Sequence, residues 1–132
     1  KGYMLFFFEN GKVAKVDMGA YATKTNRKKL IKAYGAKSPL VSAMYIKEDL
    51  ELVLTASSGR MLLVNTAVIT PKTTKDTIGI GVLTLKKGQR LASVRPYTEG
   101  EFAKPYRYRT KNLPALGSLP SADDSAGDQL SL

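Results

Sequence analysis

Apolar positions along this 132-residue chain come in short, strand-length runs, and the runs recur. Tyr3-Met4-Leu5-Phe6-Phe7-Phe8 meets the turn Glu9-Asn10-Gly11-Lys12 and continues as Val13-Ala14-Lys15-Val16. Forty-eight positions later Leu52-Val53-Leu54-Thr55-Ala56 meets Ser57-Ser58-Gly59-Arg60 and continues as Met61-Leu62-Leu63-Val64. Each pair of runs predicts a β-hairpin, and Asn10-Gly11 suits a two-residue turn whose central residues both take positive φ. A run that stays apolar without alternation predicts a strand covered on both faces. The match resumes at an offset of fifty, with Lys37-Ser38-Pro39-Leu40-Val41-Ser42-Ala43-Met44 opposite Lys87-Gly88-Gln89-Arg90-Leu91-Ala92-Ser93-Val94. This predicts a second hairpin in each unit, 30–36 with 40–45 and 80–85 with 90–95.

A period of this size marks a unit that cannot bury its apolar face alone, so copies pack side by side. Four strands in two hairpins is the content of one propeller blade. The expected fold is therefore all-β and propeller-like, with two four-stranded antiparallel blades over residues 1–48 and 49–102. Thr25-Asn26 also fits the cap of a short helix from Arg27 to Tyr34, but the matching Thr77-Ile78-Gly79-Ile80-Gly81 is poor helix material. Residues 103–132 differ in character: Tyr106-Arg107-Tyr108-Arg109 alternates like a strand that begins a third, incomplete unit or closes the sheet. Beyond Lys111, Pro114, Gly117, Pro120 and a Ser/Ala/Asp-rich run predict an extended, mobile tail. Lys1 in place of Met, with a strand starting at once, reads as a piece of a longer protein.

Charge narrows the function. Twenty-one Lys and Arg face eleven Asp and Glu, a net charge of +10. All 21 cations fall within residues 1–111 against eight carboxylates, a surplus of +13, whereas Asp123, Asp124 and Asp128 make the tail −3. Such a surplus points to a polyanionic partner, nucleic acid before membrane headgroups. No apolar stretch is long enough to span a bilayer, so a membrane partner is not expected.

Histidine and cysteine are both absent, which removes the common general base, the thiolate nucleophile and the usual transition-metal ligands. The acidic cluster Glu48-Asp49-Leu50-Glu51 reads as a solvated turn between units, and no metal or cofactor is expected. Gly79-Ile80-Gly81 lacks the third glycine and the following helix of a phosphate loop, so it reads as a bulge or a close backbone approach. The basic residues make a better constellation because the repeat places them on equivalent turns and connections. The candidate contacts are Lys12, Lys15, Lys24, Arg27, Lys28, Lys29, Lys32 and Lys37 in the first unit, with Arg60, Lys72, Lys75, Lys86, Lys87 and Arg90 in the second. Gathered along one rim, they suit backbone phosphates rather than base edges.

The two hairpin sequences, together with Gly81-Val82-Leu83-Thr84-Leu85-Lys86-Lys87-Gly88-Gln89-Arg90-Leu91, resemble blades of the C-terminal domain of the A subunit of bacterial type IIA topoisomerases, DNA gyrase and topoisomerase IV. The resemblance covers residues 2–102. It implies a β-pinwheel, a propeller variant whose blades exchange strands, with a basic outer perimeter that bends or wraps duplex DNA. It implies a non-catalytic accessory domain that presents DNA to a catalytic core outside this chain. Its implied partners are the remaining blades and core of the parent A subunit, and the ATPase B subunit of a cytoplasmic, nucleoid-associated holoenzyme. The DNA-cleaving tyrosine belongs to that core, so none of the seven tyrosines here inherits its role. A Gln-Arg-Arg-Gly-Gly-Lys-Gly box of the gyrase type is missing, which favours a topoisomerase IV-like subunit.

Two other readings remain open on the residues. The sheet edges of a two-blade array suit a protein-interaction module. Tyr21, Tyr97, Tyr106 and Tyr108 would serve as stacking platforms for single-stranded nucleic acid. The closing Gln129-Leu130-Ser131-Leu132 is similar to peptides that dock on the bacterial sliding clamp, without their closing aromatic residue.

Overall fold

The computed structural model describes residues 2–21, 38–72 and 79–124. Its strands are β1 (Tyr3–Phe8), β2 (Lys12–Asp17), β3 (Leu40–Ile46), β4 (Glu51–Ala56), β5 (Met61–Asn65), β6 (Ile80–Gly81), β7 (Leu91–Pro96) and β8 (Arg109–Thr110). They form two four-stranded sheets, ordered β3-β1-β2-β6 and β7-β4-β5-β8. Both expected first hairpins are present, β1 with β2 and β4 with β5. Each sheet adds the next long strand of its unit on the outside: β3 pairs with β1, and β7 with β4.

Three expectations change. The hairpin loops hold three residues rather than two, Glu9-Asn10-Gly11 and Ser57-Ser58-Gly59. They are closed by Gly11 N–H to the Phe8 carbonyl and Gly59 N–H to the Ala56 carbonyl, both 2.9 Å. Gly11 (φ +84°) and Gly59 (φ +94°) take the left-handed conformation such loops need at their third position.

The hairpin expected from 80–85 and 90–95 does not form, because its arms belong to different sheets. Ile80 and Gly81 pair with Val13 and Lys12 of the first sheet. Leu91–Pro96 pair with β4 of the second. The chain crosses at Val82 and Leu83, whose amides both donate to the Gly11 carbonyl, at 3.0 and 3.1 Å. The expected partner of Leu40–Ile46, residues 30–36, and the connections around 22–29 and 73–76 lie outside the described residues.

The segment expected to be an extended tail is fastened as far as Asp124. Pro105–Arg107 form a 3-10 turn, β8 adds to β5 in parallel, and Met61 and Ser118 exchange backbone hydrogen bonds of 2.8 and 3.0 Å. The second sheet is thus not wholly antiparallel.

The sheets pack head to tail. One core joins Leu5, Phe7 and Val13 of the first sheet to Leu52, Leu54, Leu62 and Val64 of the second. The opposite face of the first sheet buries Phe6, Phe8, Ala14 and Val16, with Met4 against them. Adding the repeat offset of 48 to these five gives Leu54, Ala56, Leu62, Val64 and Leu52, the face with which the second sheet meets the first. Each unit therefore offers one face backward and the other forward, as a rotating array of like blades requires. The forward face of the second sheet, Val53 and Leu63, is covered by Phe102 and Tyr108 from the closing segment. Fold and pattern agree here: β1 is buried on both sides, as its unbroken apolar run requires.

Candidate nucleic-acid interface

Every strand of the first hairpin type runs between two ends of the array, and charge separates along that direction. At one end lie the hairpin loops. Glu9 N–H donates to the Pro39 carbonyl (2.9 Å) and Asn10 N–H to Ser38 Oγ (3.1 Å), which holds the loop of the first blade against the start of β3. In the second blade Ser57 N–H donates to the Arg90 carbonyl (2.8 Å) and Arg90 N–H to Ser57 Oγ (3.0 Å). Leu91 N–H reaches the Glu9 carbonyl at 2.9 Å, so the two loop ends are neighbours across the blades. Gly11 is required there, since a Cβ would collide with the Leu83 carbonyl oxygen.

This arrangement brings together Lys12, Arg60, Lys86, Lys87 and Arg90 from the sequence-derived set. Lys86, Lys87 and Arg90 are exposed, and Lys12 and Arg60 are half-buried. The Lys86–Gln89 turn is closed by Gln89 N–H to the Lys86 carbonyl (2.9 Å), and Lys86 N–H donates to Gln89 Oε1 (3.2 Å). Arg60 is partly committed, donating from one guanidinium nitrogen to the Gly117 carbonyl at 3.1 Å. Glu9 is the one carboxylate on these described loops and strand ends, and among the described residues no carboxylate pairs with Lys12, Lys86, Lys87 or Arg90.

The other end is mixed and acidic. Asp17, Glu48, Asp49, Glu51, Glu99 and Glu101 lie there, at the far ends of β2, β3, β4 and β7. Arg109 binds Glu51 through two bonds of 2.7 and 3.0 Å, and Arg95 binds Glu101 at 2.6 Å. The Arg95 hydrogen bond holds the Glu101 carboxyl below its ordinary range, and the Glu51 pair raises Arg109 further. Lys72 belongs to this end, because it bridges Val16 and its carbonyl accepts from Asp17 N–H at 2.9 Å. At about 3.3 Å per strand residue, it stands about 16 Å from the hairpin loop along β2. Lys47, which the sequence reading left out, is exposed at the same end.

Lys15 leaves the surface altogether. It stands opposite Leu5 on the face between the blades and is 3% exposed. Its ammonium donates to Asp49 Oδ1 and to the Thr66 carbonyl, both at 2.9 Å, and sits 4.6 Å from the centre of the Tyr3 ring. Strand alternation, not the surface, decides its direction. Lys24, Arg27, Lys28, Lys29, Lys32, Lys37 and Lys75, like Gln129-Leu130-Ser131-Leu132, lie outside the described residues.

The tyrosines divide in the same way. Tyr108 is 1% exposed and packs on Phe102 at a ring separation of 4.7 Å, while Tyr97 stacks on Phe102 at 5.9 Å. Tyr108 is a core residue, and Tyr97 is half-buried with its ring engaged by Phe102. Burial raises the Tyr108 hydroxyl, and its bond to Asp124 raises it further. Tyr106 is exposed, and the Tyr21 side chain is not among those described. Among the described residues no group of His, Cys, Asp and Glu is arranged to hold a metal ion, and no helix is long and apolar enough to cross a membrane.

No known family's sequence profile matches the chain, and no curated protein does. Solved structures do. The C-terminal domain of DNA topoisomerase IV superposes with a TM-score of 0.66 at 22% identity, over 76% of this chain and 31% of that one. The C-terminal domain of DNA gyrase A gives 0.55 at 20% identity, over 70% and 30%. The C-terminal domain of E. coli ParC gives 0.67 at 9% identity, over 97% and 59%. The chain has the β-pinwheel fold of type IIA topoisomerase C-terminal domains. It spans about a third of the length of the first two and 59% of the third. Strand exchange, the feature that separates a pinwheel from a simple propeller, is present here in β6, which leaves the second unit to complete the first sheet.

Proposed function

We propose that this pinwheel is a non-catalytic accessory domain of a type IIA topoisomerase A subunit, which holds duplex DNA for a catalytic core outside the chain. Residues 1–48 and 49–102 are its blade-forming units and 103–132 its closing segment. The parent's remaining blades and core, and the ATPase B subunit, are its protein partners, in the cytoplasm and at the nucleoid. The missing gyrase-type basic box supports a topoisomerase IV-like parent, in which DNA is bent or held.

The observation that carries this reading is the charge division between the two ends. Five cations against one carboxylate gather where the hairpin loops meet, whereas the six carboxylates of the far end are offset by Lys47, Lys72, Arg95 and Arg109. A polyanion is drawn to the first rather than to the second, which favours one orientation as well as affinity. Lysine on short loops reaches phosphate oxygens and carries no base code, so binding is largely independent of sequence. Of the five described arginines, Arg60, Arg95, Arg107 and Arg109 are engaged with protein acceptors, which leaves the phosphate contacts to lysine and Arg90.

Charge reversal tests this directly. Lys86→Glu/Lys87→Glu/Arg90→Glu is expected to weaken duplex binding at least about tenfold at moderate salt. It should also lower the slope of log affinity against log salt by about 2.7, or about 0.9 for each phosphate contact removed. Lys47→Glu/Lys72→Glu, at the acidic end, should change affinity less than about twofold. Fluorescence anisotropy on one duplex at several salt concentrations measures both. Equal losses from the two ends would end the proposed orientation.

A further inference from the structure

Two large apolar side chains face water at the cationic end, and the backbone that carries them is tied down. Tyr106 is 72% exposed and Leu119 47%. Both belong to the closing segment, where it returns to the second hairpin loop. A Cβ at Gly59 would lie 3.9 Å from Leu119 Cδ2, so this leucine rests beside the loop that leads to Arg60. Its neighbour Ser118 exchanges backbone hydrogen bonds with Met61, the next residue of the chain after Arg60. Ser118 Oγ donates to the Arg107 carbonyl at 3.2 Å, and Arg107 Nε donates to the Leu119 carbonyl at 3.0 Å. Arg60 completes the brace through the Gly117 carbonyl at 3.1 Å. Tyr106 is the middle residue of the 3-10 turn Pro105–Arg107, which Tyr108 N–H closes onto the Pro105 carbonyl at 3.0 Å. The turn buries Tyr108 and presents Tyr106.

A lone exposed leucine needs no explanation. Here two apolar side chains face water from pieces of chain bonded to each other, while the polar groups beside them are committed to the protein. Lys104 pairs with Asp123 at 3.8 Å, and Asp124 accepts from Ala103 N–H at 2.8 Å and from the Tyr108 and Ser121 hydroxyls. This corner therefore offers a fixed apolar edge, and it adjoins the loop cations.

On the duplex-binding function proposed above, and resting on it, we propose that Tyr106 and Leu119 form a wedge that parts one base step of the DNA held on the cationic rim. Apolar side chains enter between base pairs at kinks, and the bent duplex that results meets more protein surface. An aromatic ring such as that of Tyr106 stacks on any exposed base. Continuity with the rim commits this edge to DNA. A duplex whose phosphates lie on Lys86, Lys87 and Arg90, and which follows the loops to Arg60, meets Leu119 next. The wedge reads no bases. It selects a step that opens easily, as pyrimidine–purine steps do.

The Tyr106→Ser/Leu119→Ser chain tests the proposal, with Tyr45→Ser as its control. Tyr45 is 51% exposed and stands opposite Met4, toward the acidic end. Fluorescence anisotropy at one salt concentration compares two duplexes of one sequence, fully paired or with a central mismatch that opens at lower cost. Wild type and Tyr45→Ser are expected to prefer the mismatched duplex about fivefold or more, and the double variant less than about twofold. The salt slopes of all three should agree, because no phosphate contact is removed. Energy transfer between dyes on the duplex ends should show a smaller bend for the double variant. Duplex binding by wild type without the preference, or a double variant that keeps both preference and bend, would overturn the wedge and leave the edge to a protein partner. A lowered salt slope in the double variant would overturn it too, by making this corner a phosphate contact. Absence of duplex binding by wild type at low salt would instead overturn the function on which the wedge rests. Should the Leu119 change lower the urea midpoint, Tyr106→Ser alone serves for the same comparison.

Discussion

Phe7→Ala is expected to cost about 3–5 kcal/mol, the range for removing a fully buried aromatic ring. Phe7 is 0% exposed and sits in the core that joins the two sheets. Removal of the ring costs its transfer free energy and leaves a cavity at a junction of rigid sheets, which collapse poorly around a void. The repeat supplies the control. Forty-eight positions on stands Thr55, half-buried on the forward face of the second sheet. That face meets Phe102 and Tyr108 instead of another blade. Thr55→Ala should therefore change stability by less than about 1 kcal/mol. Urea denaturation of both variants measures the difference. Against a typical total of about 5–15 kcal/mol, the Phe7 loss removes a large share of the domain's stability. A small effect at Phe7 would mean that the two sheets do not depend on their shared core.

The reach of the sequence is clearest in β1 and β4. Their apolar runs and the shared offset of 48 identify both hairpins, and the same offset relates the two faces that pack head to tail. Strand exchange was implied by the family resemblance but was not legible in the local pattern. The arms at 80–81 and 91–96 are close in sequence, and neighbouring strands usually pair with each other, so a local hairpin was the natural expectation. Only the positions of Gly11, Val82 and Leu83 in space divert the first arm to the other sheet. The alternation at 106–109 offered a third, incomplete unit or a closing strand, but the backbone pairing it repeats was not legible. Lys72 and Thr110, or Ile80 and Ser118, share a backbone role but no side-chain chemistry, and Gly79 and Gly117 alone keep the residue type.

At the candidate interface, the repeat places cations on the hairpin loops, and five of the fourteen candidates meet there. Its counterpart was equally present in the sequence, because Glu48 and Glu99 recur between units at an offset of 51. That recurrence accounts for two of the six carboxylates at the far end. Lys15 turned on a single residue. With a two-residue loop it would stand opposite Phe6, whereas the observed three-residue loop sets it opposite Leu5, toward the second blade.

That inward lysine makes stability depend on pH through one exposed partner. Asp49 Oδ1 accepts from Thr66 Oγ1 at 2.6 Å and from Lys15 at 2.9 Å. The Thr66 bond first, and the Lys15 bond second, hold the Asp49 carboxyl below its ordinary value. A carboxylate whose folded pKa is depressed contributes fully above its unfolded pKa, about 3.9, and loses that contribution as pH falls through the folded value. Asp49→Asn should therefore cost about 1–2 kcal/mol near neutral pH, below the range for breaking a fully buried pair because the Asp49 side chain is 38% exposed. The gap between wild type and variant should be constant from neutrality down to about pH 5 and should close below about pH 4. Lys15→Leu takes the residue found at the equivalent position, Leu63, and removes the buried charge together with its need for a partner. It should be nearly neutral or stabilising at pH 7, where Lys15→Ala is expected to lose stability. Denaturation midpoints across pH for the three variants measure these differences. A gap at Asp49→Asn that persists unchanged below pH 4 would show that the carboxylate does not hold the lysine between the blades.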